Sequence, residues 1–337
     1  MKPTNDAMSV SLSTSHSRTV TGVSVILPIL NEEAHLEQSV SAILSQDYHG
    51  KLEIILALGP SRDRTSEIAH ELGKKDSRII LVENPTGRTA TGLNLAISQS
   101  SFDIIVRVDG HAQIPSNYIS MAVSILNETG AVNVGGLMAA EGETNFEKSV
   151  AKVMKSPLGV GSSNFHTGGT AGSVDTVYLG CFRRAELLAA GGYDERFTRA
   201  QDWELNFRLR SRGGVVYFDP RLYVLYRPRP NLGALSKQYF EYGRWRRAVV
   251  RRHQGTVNMR YLAPPFAFIG TLISLFSGFL IAPIFFIPAV IYLSFVVFAS
   301  LKLGKGLREY FQMPAILLVM QMSWGCGYLT SPKKLAT

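Results

Sequence analysis

An acid and an imidazole, Asp109 and His111, stand two residues apart directly after a strongly apolar run. The Ile and Val residues of 104–108 lack helical spacing and predict a strand that is buried on both faces. In open α/β sheets, ligands bind at the carboxyl edge of such strands. A carboxylate and an imidazole at that edge suit a divalent cation that holds a diphosphate. The alternative is a solvated turn in which Asp109 caps the helix that follows Pro115.

Three further acids lie where they suit a binding or catalytic role. Glu32 follows the first apolar run of the chain, and Asp63 lies in the turn after the second. Acidic turns after neighbouring strands suit the base, the ribose and the metal-bridged phosphates of a nucleotide. Asp202 falls in the first turn of a predicted helix, where the alternative is that its side chain caps the helix. Capping explains one acid, but it does not explain why Asp202 occurs in a domain whose strand edges already gather Glu32, Asp63 and Asp109.

The elements that must position these acids alternate between strands and helices. Apolar runs predict four strands, at residues 23–30, 52–58, 78–82 and 104–108. A helical pattern follows each of the first three runs, and this alternation predicts an α/β fold with a parallel, three-layer sheet. No G-x-G-x-x-G follows the first run, which counts against a dinucleotide oxidoreductase.

The pattern loosens between residues 131 and 180. Gly135 and Gly136 close another predicted strand, and residues 162–173 are rich in Gly, Ser and Thr. Such a composition predicts a flexible loop, and a loop of this length in a compact domain is usually functional or disordered. We favour an active-site lid, with surface disorder as the alternative.

The composition excludes some classes of protein. The chain of 337 residues has a formal net charge of +9, which would allow nucleic acid as a partner. The basic residues, however, concentrate immediately before an apolar segment that begins at residue 262, so no nucleic acid is expected. Cys181 and Cys326 are far apart and suggest neither a disulfide framework nor a zinc site. Residues 1–21 are rich in Ser and Thr, lack the apolar core of a signal peptide and predict a disordered tail.

The carboxyl-terminal part of the sequence predicts membrane helices. Residues 262–301 contain no charge, which is about right for two spans, at about 263–282 and 284–301. Pro283 and Pro288 interrupt the run where a tight hairpin turns. Basic residues at 302–308 then mark a return to the cytoplasm. Residues 313–329 form a third apolar segment, which either spans the bilayer or lies at its interface. The alternative for the first two segments is a pair of core helices.

Five motifs in this order resemble those of family 2 glycosyltransferases. They lie at residues 25–33, 61–65, 84–94, 109–111 and 201–204. Within that family, residues 107–111 and 239–245 are most similar to the membrane-anchored bacterial exopolysaccharide group that includes the succinoglycan glycosyltransferases. The resemblance covers roughly residues 23–252, with a family-like membrane tail behind it.

The resemblance implies an inverting transferase of the GT-A fold, a Rossmann-like mixed sheet flanked by helices. Its donor would be a nucleotide-diphosphate sugar, and its cofactor Mg²⁺ or Mn²⁺. Asp109 and His111 correspond to the metal-binding Asp-x-Asp, and Asp202 matches the catalytic base. Carried over by position, the residues at the nucleotide-sugar are Pro28, Asn31, Glu32, Asp63, Arg88 and Asp109. The residues on the acceptor side are Gly180, Arg244 and Trp245. For the basic stretch that contains Arg244, a juxtamembrane anchor attracted by anionic lipid is an equal alternative.

Three positions depart from the family's pattern. Leu58 stands where the second turn usually begins with Asp, so one expected nucleotide contact is missing. His111 replaces the second Asp of the metal motif, which makes the site softer and less charged, a change in the direction of Mn²⁺. Gln201 replaces the Glu before the base and removes a like charge that would raise the pKa of Asp202.

We therefore predict a membrane-anchored, inverting glycosyltransferase of the hexosyltransferase type that acts in the synthesis of a cell-surface or extracellular polysaccharide. Its catalytic domain, residues 22–236, would be cytoplasmic, followed by a basic juxtamembrane segment, 237–261, and a multi-pass plasma-membrane region, 262–330. The expected acceptor is a lipid-linked saccharide, because the basic segment and the apolar helices hold the active site near the bilayer, and a polysaccharide assembly complex is a further partner. The alternatives are a processive polysaccharide synthase and a catalytically silent scaffold that binds nucleotide-sugars.

Overall fold

One sheet of eight strands organises the part of the molecule that the structure describes. The computed structural model describes residues 22–335, so the tail predicted at residues 1–21 lies outside the described residues. The strands in chain order are β1 (Val23–Ile29), β2 (Leu52–Leu58), β3 (Ile79–Glu83), β4 (Ile104–Arg107), β5 (Asn133–Ala140), β6 (Gly172–Ser173), β7 (Tyr178–Arg183) and β8 (Val216–Tyr226).

The order of the strands creates a switch point beside β1. Across the sheet the order is β3-β2-β1-β4-β7-β5-β8-β6. β1 pairs in parallel with both β2 and β4, and β3 pairs in parallel with β2. β7 runs antiparallel to β4 and to β5, so the sheet is mixed. The four predicted strands are confirmed to within one residue at each end, and they make up the parallel half. Because the chain first builds outward to β3 and then returns to the other side of β1, the carboxyl ends of β1 and β4 form the crevice where ligands bind in such folds.

Helices pack on both faces of this sheet and continue beyond it. In chain order they are α1 (Leu36–Leu44), α2 (Thr65–Lys75), α3 (Thr89–Gln99), α4 (Tyr118–Thr129), α5 (Asn145–Met154), α6 (Pro157–Val160), α7 (Asn164–Thr167), α8 (Arg184–Ala189), α9 (Gln201–Ser211), α10 (Leu232–Arg252), α11 (Met259–Leu280), α12 (Ile287–Leu303) and α13 (Leu307–Leu329).

The central strands are buried on both faces, as their Ile and Val content predicts. Val25 and Leu27 of β1 point into a core shared with α1 and α4. Ile26, between them, points into the opposite core, which contains Leu93 and Ile97 of α3. Burying each such side chain stabilises the fold by about 1.5–3 kcal/mol. The strand ends that carry the acids are thus held by a rigid double-sided core.

The Gly, Ser and Thr-rich segment at 162–173 is not a continuous loop, so that part of the prediction is wrong. It contains the single turn α7 and ends in β6, which pairs antiparallel with β8 through Gly172 and Ser173. Backbone groups in the segment are satisfied locally: the amide nitrogens of His166 and Thr167 both donate to the carbonyl of Ser163.

Within residues 22–335, two carboxyl-terminal helices are long and apolar enough to cross a membrane. They are α11 and the segment Pro283–Leu303, in which a 3₁₀ turn leads into α12. The hairpin predicted at Pro283 is confirmed. Large apolar side chains on these helices are solvent-exposed in the described chain: Phe276 is 67% exposed and Phe279 79%. Core helices bury such side chains, so the core-helix alternative is wrong.

Helix α13 packs against α5 and α10 rather than standing apart. Met313, Ile316 and Leu317 are buried in one cluster with residues of α5 and α10. Glu309 pairs with Lys152 of α5 at 2.5 Å. The third apolar segment is therefore part of a helix that starts at Leu307 and braces α5 and α10.

Glycines bring α10 and α13 into backbone contact. A Cβ on Gly243 of α10 would lie 2.0 Å from the carbonyl oxygen of Trp324, and a Cβ on Gly327 of α13 would lie 2.1 Å from that of Phe240. No larger residue fits at either position without a shift of the helices. α10 itself runs without a break across the boundary predicted at residue 236.

Candidate active site

The crevice at the switch point is lined by the turns that follow β1 and β4. Gly110, in the turn after β4, lies so close to the β1 turn that an added Cβ would come within 2.9 Å of Ile29 and 3.1 Å of Glu32. His111 follows it, and its Nδ1 lies 2.8 Å from a carboxylate oxygen of Glu32. The turns after β1 and β4 therefore lie side by side, as the sequence predicts. The missing side chain of Gly110 allows the two turns to come this close.

A buried arginine joins the acid of the β4 turn to the acid of α9. Arg107 is the last residue of β4 and is 3% exposed. Its guanidinium donates to Asp109 at 3.0 Å and, through its other terminal nitrogen, to Asp202. The two carboxylates, 93 residues apart in the chain, therefore face each other across one guanidinium. Sequence reasoning did not single out Arg107, although a charge inside an otherwise apolar strand is a signal that was available.

Asp202 does not cap its helix, so the capping alternative is wrong. The residue before α9 is Ala200, which has a left-handed backbone (φ 59°) and offers no side-chain cap. Asp202 lies inside the first turn, and its side chain points to Arg107 and is 24% exposed. Burial raises the pKa of Asp202 to about 6, the guanidinium of Arg107 opposes this rise, and the charge of Asp109 adds to it.

A second buried ion network fixes α9 in place. Glu204 is fully buried, and its carboxylate accepts two hydrogen bonds from Arg208, each 2.7 Å long. Arg208 also donates to the carbonyls of Ala190 and Gly192, and His253 lies 2.8 Å from Glu204. Breaking such a pair from one side costs about 3–5 kcal/mol. The Glu and Arg four residues apart on one helix were the available signal for this network, and sequence reasoning missed it.

The turns after β1 and β2 are tied together by reciprocal hydrogen bonds. The amide of Arg62 donates to the side chain of Asn31 at 2.8 Å, and the amide of Glu33 donates to Asp63 at 3.3 Å. The hydroxyl and amide of Thr65 also donate to Asp63. The hydroxyl hydrogen bond is the largest cause that lowers the pKa of Asp63, so this carboxyl is ionised at neutral pH. Asn31 and Asp63 thus shape one continuous rim of the crevice.

Pro28 and Arg88 lie at the same edge of the sheet. Pro28 is in β1 and pairs with Ala57 of β2. Arg88 is exposed and precedes the first residue of α3. Its loop reaches the β2 turn, because a Cβ on Gly59 would lie 3.2 Å from the Cα of Gly87.

The three residues predicted on the acceptor side have visible packing roles. Gly180 of β7 leaves room for the amide oxygen of Asn133, which would lie 2.5 Å from an added Cβ. Trp245 is 6% exposed and contacts the ring of Phe197 with centroids 5.9 Å apart. Arg244 pairs with Glu241 at 2.8 Å. An acceptor role for these residues stays a prediction.

The donor atoms of the β4 turn fit a divalent cation that a diphosphate helps to hold. No group of three or more His, Cys, Asp or Glu residues within 22–335 forms a metal cage. Mg²⁺ bound with a phosphate substrate usually takes only one or two carboxylates from the protein. A carboxylate that accepts the Nδ1 proton of a histidine directs the lone pair of Nε2 outward, a common arrangement for metal-binding histidines. Glu32 stands in this relation to His111 and raises its pKa through the same hydrogen bond.

Comparison with known proteins agrees with this geometry. The model of the family described as Glycosyl transferase family 2 matches residues 24–185, which include the β1 turn, the β2 turn and the β4 turn. The chain is 29% identical over 324 residues to the succinoglycan biosynthesis protein ExoA of Rhizobium meliloti, covering 92% of this chain and 94% of that protein.

A second relative and a solved structure extend the comparison. The GalNAc(5)-diNAcBac-PP-undecaprenol beta-1,3-glucosyltransferase of Campylobacter jejuni is 26% identical over 230 residues, covering 65% of this chain and 70% of that protein. The mannosyltransferase PcManGT of Pyrobaculum calidifontis, solved with GDP-Man and Mn²⁺, shares the fold with a TM-score of 0.61 at 21% identity, covering 88% of this chain and 85% of that one. Residues 24–185 are therefore a glycosyl transferase family 2 domain, the fold is of the GT-A type, and the protein is a glycosyltransferase.

Proposed function

We propose that the protein is a membrane-anchored, inverting glycosyltransferase that moves a sugar from a nucleotide-diphosphate sugar to a lipid-linked saccharide during polysaccharide synthesis. The observation that carries this proposal is the contact of Arg107 with both Asp109 and Asp202. One guanidinium group thus joins the carboxylate of Asp109, at the carboxyl edge of the sheet, to the carboxylate of Asp202 on α9. A donor bound at the first and an acceptor activated by the second would meet in the same crevice.

In this mechanism Asp202 is the general base. It takes the proton of the acceptor hydroxyl while that oxygen attacks the anomeric carbon from the side opposite the leaving diphosphate, which inverts the configuration. A base works best when its pKa lies near the working pH. The pKa of Asp202, raised by burial to about 6, meets this requirement better than that of a solvated carboxyl. A positioned general base typically contributes about 10²- to 10⁴-fold to the rate.

The donor side of the crevice would hold the nucleotide and its diphosphate. Asn31, Glu32 and Asp63 line the rim where the base and ribose would bind, and Pro28 and Arg88 lie at the same edge. Asp109 and Nε2 of His111 would hold Mg²⁺ or Mn²⁺. When bound, such a cation stabilises the charge that develops on the leaving diphosphate. Glu32 would orient the imidazole of His111 through their 2.8 Å contact.

The exposed apolar helices support a membrane-anchored enzyme. α11 and the segment Pro283–Leu303 expose large apolar side chains that a bilayer would cover. The basic end of α10 and Lys302 to Arg308 favour a cytoplasmic catalytic domain. We place that domain at residues 22–236, with the juxtamembrane segment at 237–261 and the membrane region at 262–330. The lipid-linked acceptor rests on this anchoring and on the PP-undecaprenol in the name of the Campylobacter jejuni relative.

An assay with purified, detergent-solubilised protein tests the proposal. A panel of nucleotide-sugars is combined with lipid-linked saccharides, and release of nucleoside diphosphate and product masses are measured. Asp202→Asn should retain donor binding and lose at least about 100-fold in turnover. Asp76→Asn, which breaks only the pair of Asp76 with Arg78 after α2, should match the wild type. Near-normal transfer by Asp202→Asn would exclude Asp202 as the base. Silence of the wild type with every donor would favour a binding scaffold, and a ladder of long products would favour a processive synthase.

A further inference from the structure

A partly buried arginine on α10 lies between two aromatic rings, away from the Arg107 contact. The guanidinium of Arg246 is 4.3 Å from the ring centroid of Trp203 and 4.2 Å from that of Tyr261. A second arginine, Arg260, lies over the same Tyr261 ring at 4.7 Å. We call Arg246, Arg260, Trp203 and Tyr261 the arginine cluster.

The arginine cluster contains hydrogen-bond donors that have no partner among residues 22–335. One terminal nitrogen of Arg246, Nε of Arg260 and the indole nitrogen of Trp203 are all buried and make no hydrogen bond within that part of the chain. A buried donor that is left unpaired is costly, more so when its group is charged. Burial, and to a smaller extent the charge of Arg260, lowers the pKa of Arg246. Three donors that belong to side chains in one contact cluster thus lack an acceptor within residues 22–335.

The negative charge beside the cluster is weakly held. Asp175 lies 3.9 Å from Arg260 and 3.9 Å from Arg210, and its side chain is 52% exposed. Ion pairs of this length and exposure contribute little. Arg260 also donates to the carbonyl of Ser162 at 2.6 Å. The ion pairs of Asp175 with the two arginines are therefore ones that a stronger anion can displace, whereas the hydrogen bond to Ser162 can stay in place.

The cluster connects the helix that carries the proposed base to the first apolar helix. Trp203 directly follows Asp202 in α9, so its backbone is one residue from the base. Tyr261 belongs to the first turn of α11, which is long and apolar enough to span a membrane. Its ring also stacks on that of Trp324, and aromatic rings of this kind are enriched where a bilayer meets water.

We propose that the arginine cluster binds the phosphate by which the acceptor is joined to its lipid carrier. The inference rests on the proposed function, because it assumes a lipid-linked acceptor. Guanidinium groups bind phosphate oxygens through two parallel hydrogen bonds, which would satisfy the unpaired donors of Arg246 and Arg260. The phosphate replaces Asp175 as the counter-ion, while the lipid tail extends along α11 and the sugar faces Asp202. Arg246 and Arg260 are thereby specificity residues for the acceptor.

Equilibrium binding of farnesyl diphosphate to the detergent-solubilised full chain tests this inference without any donor. Arg246→Gln and Arg260→Gln should each weaken binding by about 10- to 100-fold, the loss expected for charge-assisted hydrogen bonds. Arg252→Gln is the matched control, because Arg252 is an exposed arginine at the end of the same helix. It should change the affinity for farnesyl diphosphate by less than about 2-fold, since exposed charges usually contribute little. Binding of a nucleotide-sugar should stay unchanged in all three variants.

Asp175→Asn provides a test in the opposite direction. Because Asp175 competes with the phosphate, its neutralisation should tighten the binding of farnesyl diphosphate by about 2- to 5-fold. A purely structural role for the cluster predicts no such gain. Arg246→Lys keeps the positive charge and replaces Arg246→Gln in the assay if that variant does not fold. It should bind farnesyl diphosphate more weakly than the wild type, because an ammonium group lacks the planar pair of donors of a guanidinium.

Several results would overturn the inference. Wild-type affinity in Arg246→Gln and Arg260→Gln would exclude the cluster, and an equal loss in Arg252→Gln would indicate a diffuse basic surface. Full competition by nanodiscs of phosphatidylglycerol would assign the site to bulk lipid headgroups. Equal affinity for inorganic diphosphate would assign it to a free anion. Failure of the proposed function is a separate result, because it shows as the absence of nucleotide-sugar binding and of transfer in the wild type.

Discussion

Replacing Arg107 with methionine tests whether one guanidinium sets the ionisation of Asp202. The substitution keeps an apolar stem in β4 and removes the cation that joins Asp109 to Asp202. Burial and the charge of Asp109 both raise the pKa of Asp202, and Arg107 is the group that lowers it. An adjacent opposite charge shifts a carboxyl pKa by about 1–3 units. We therefore expect the pKa of Asp202 to rise from about 6 to roughly 7–9.

The magnitude at a working pH follows from the ionised fraction. The ionised carboxylate is the active base, so activity falls as pH drops through the pKa. At pH 7 the wild type is about 90% ionised, whereas the variant is between about 50% and about 1% ionised. The kcat/KM at pH 7 should fall by about 2- to 100-fold in Arg107→Met and recover at higher pH.

The assay is a pH profile of nucleoside diphosphate release in the presence of acceptor. The acid limb of the wild type should have its midpoint near pH 6, and that of Arg107→Met should lie at a higher pH. Arg221→Met removes an arginine that pairs with Asp219 at 2.7 Å and is 60% exposed, and its acid limb should not move. A uniform loss of rate in Arg107→Met with an unmoved acid limb would refute the reasoning. Thermal unfolding is followed in parallel, because opening a buried ion pair costs about 3–5 kcal/mol.

Three other substitutions test the crevice and its support. Asp109→Ala should weaken the Mn²⁺-dependent part of nucleotide-sugar binding, measured by titration with and without the metal. Asp76→Ala is the control and should bind the donor as the wild type does. Equal donor affinity of Asp109→Ala and the wild type would contradict a metal-binding role of Asp109. Gly110→Ala should lower donor affinity because the added Cβ would meet Ile29 and Glu32 at 2.9 and 3.1 Å. Gly172→Ala serves as the control, because its Cβ would have no atom of residues 22–335 within 4 Å. Unchanged donor affinity in Gly110→Ala would mean that donor binding does not require close contact of the β1 and β4 turns. Gly243→Ala should lower the free energy of unfolding by about 1–3 kcal/mol through overpacking against α13. Gly270→Ala, whose Cβ would have no atom within 4 Å in residues 22–335, should not lower the free energy of unfolding, because Ala also favours a helix over Gly. Equal stability of the two variants would argue against the helix contact.

The parallel half of the fold follows directly from the sequence. Runs such as Ile104 to Val106 have no polar side that could face water, so they predict a strand between two layers of helices. The structure adds β5 to β8, which the sequence left mostly undefined. Pairing of these strands depends on contacts between distant residues, for example β5 with β8 and β7 with β4, and no local pattern encodes them.

The site was partly visible in the sequence, because strand ends are local features and side-chain pairing is not. Glu32, Asp109 and His111 could be assigned to one crevice from the order of elements alone. The bond from Arg107 to Asp202 spans 95 residues and depends on the direction in which α9 leaves its loop. That direction is fixed by Ala200, whose left-handed backbone gives no signal in its residue type. Segment 162–173 was misjudged because its composition resembles a loop although its backbone hydrogen bonds form a helical turn and a strand.

The tight crossing of α10 and α13 has a consequence for how the enzyme would meet its acceptor. Backbones that touch through Gly243 and Gly327 hold α13 against α10. A Cβ on Gly325 of α13 would lie 2.5 Å from the carbonyl oxygen of Pro264 in α11, so little rotation is left between α10 and the first helix of the apolar hairpin. In a bilayer we therefore expect the crevice to keep a constant distance from the membrane surface and a constant orientation to it. The sugar of a lipid-linked acceptor would have to reach the crevice at that distance from the membrane. A change in the tilt of α11, caused by a different membrane thickness, would change the orientation of the crevice as well.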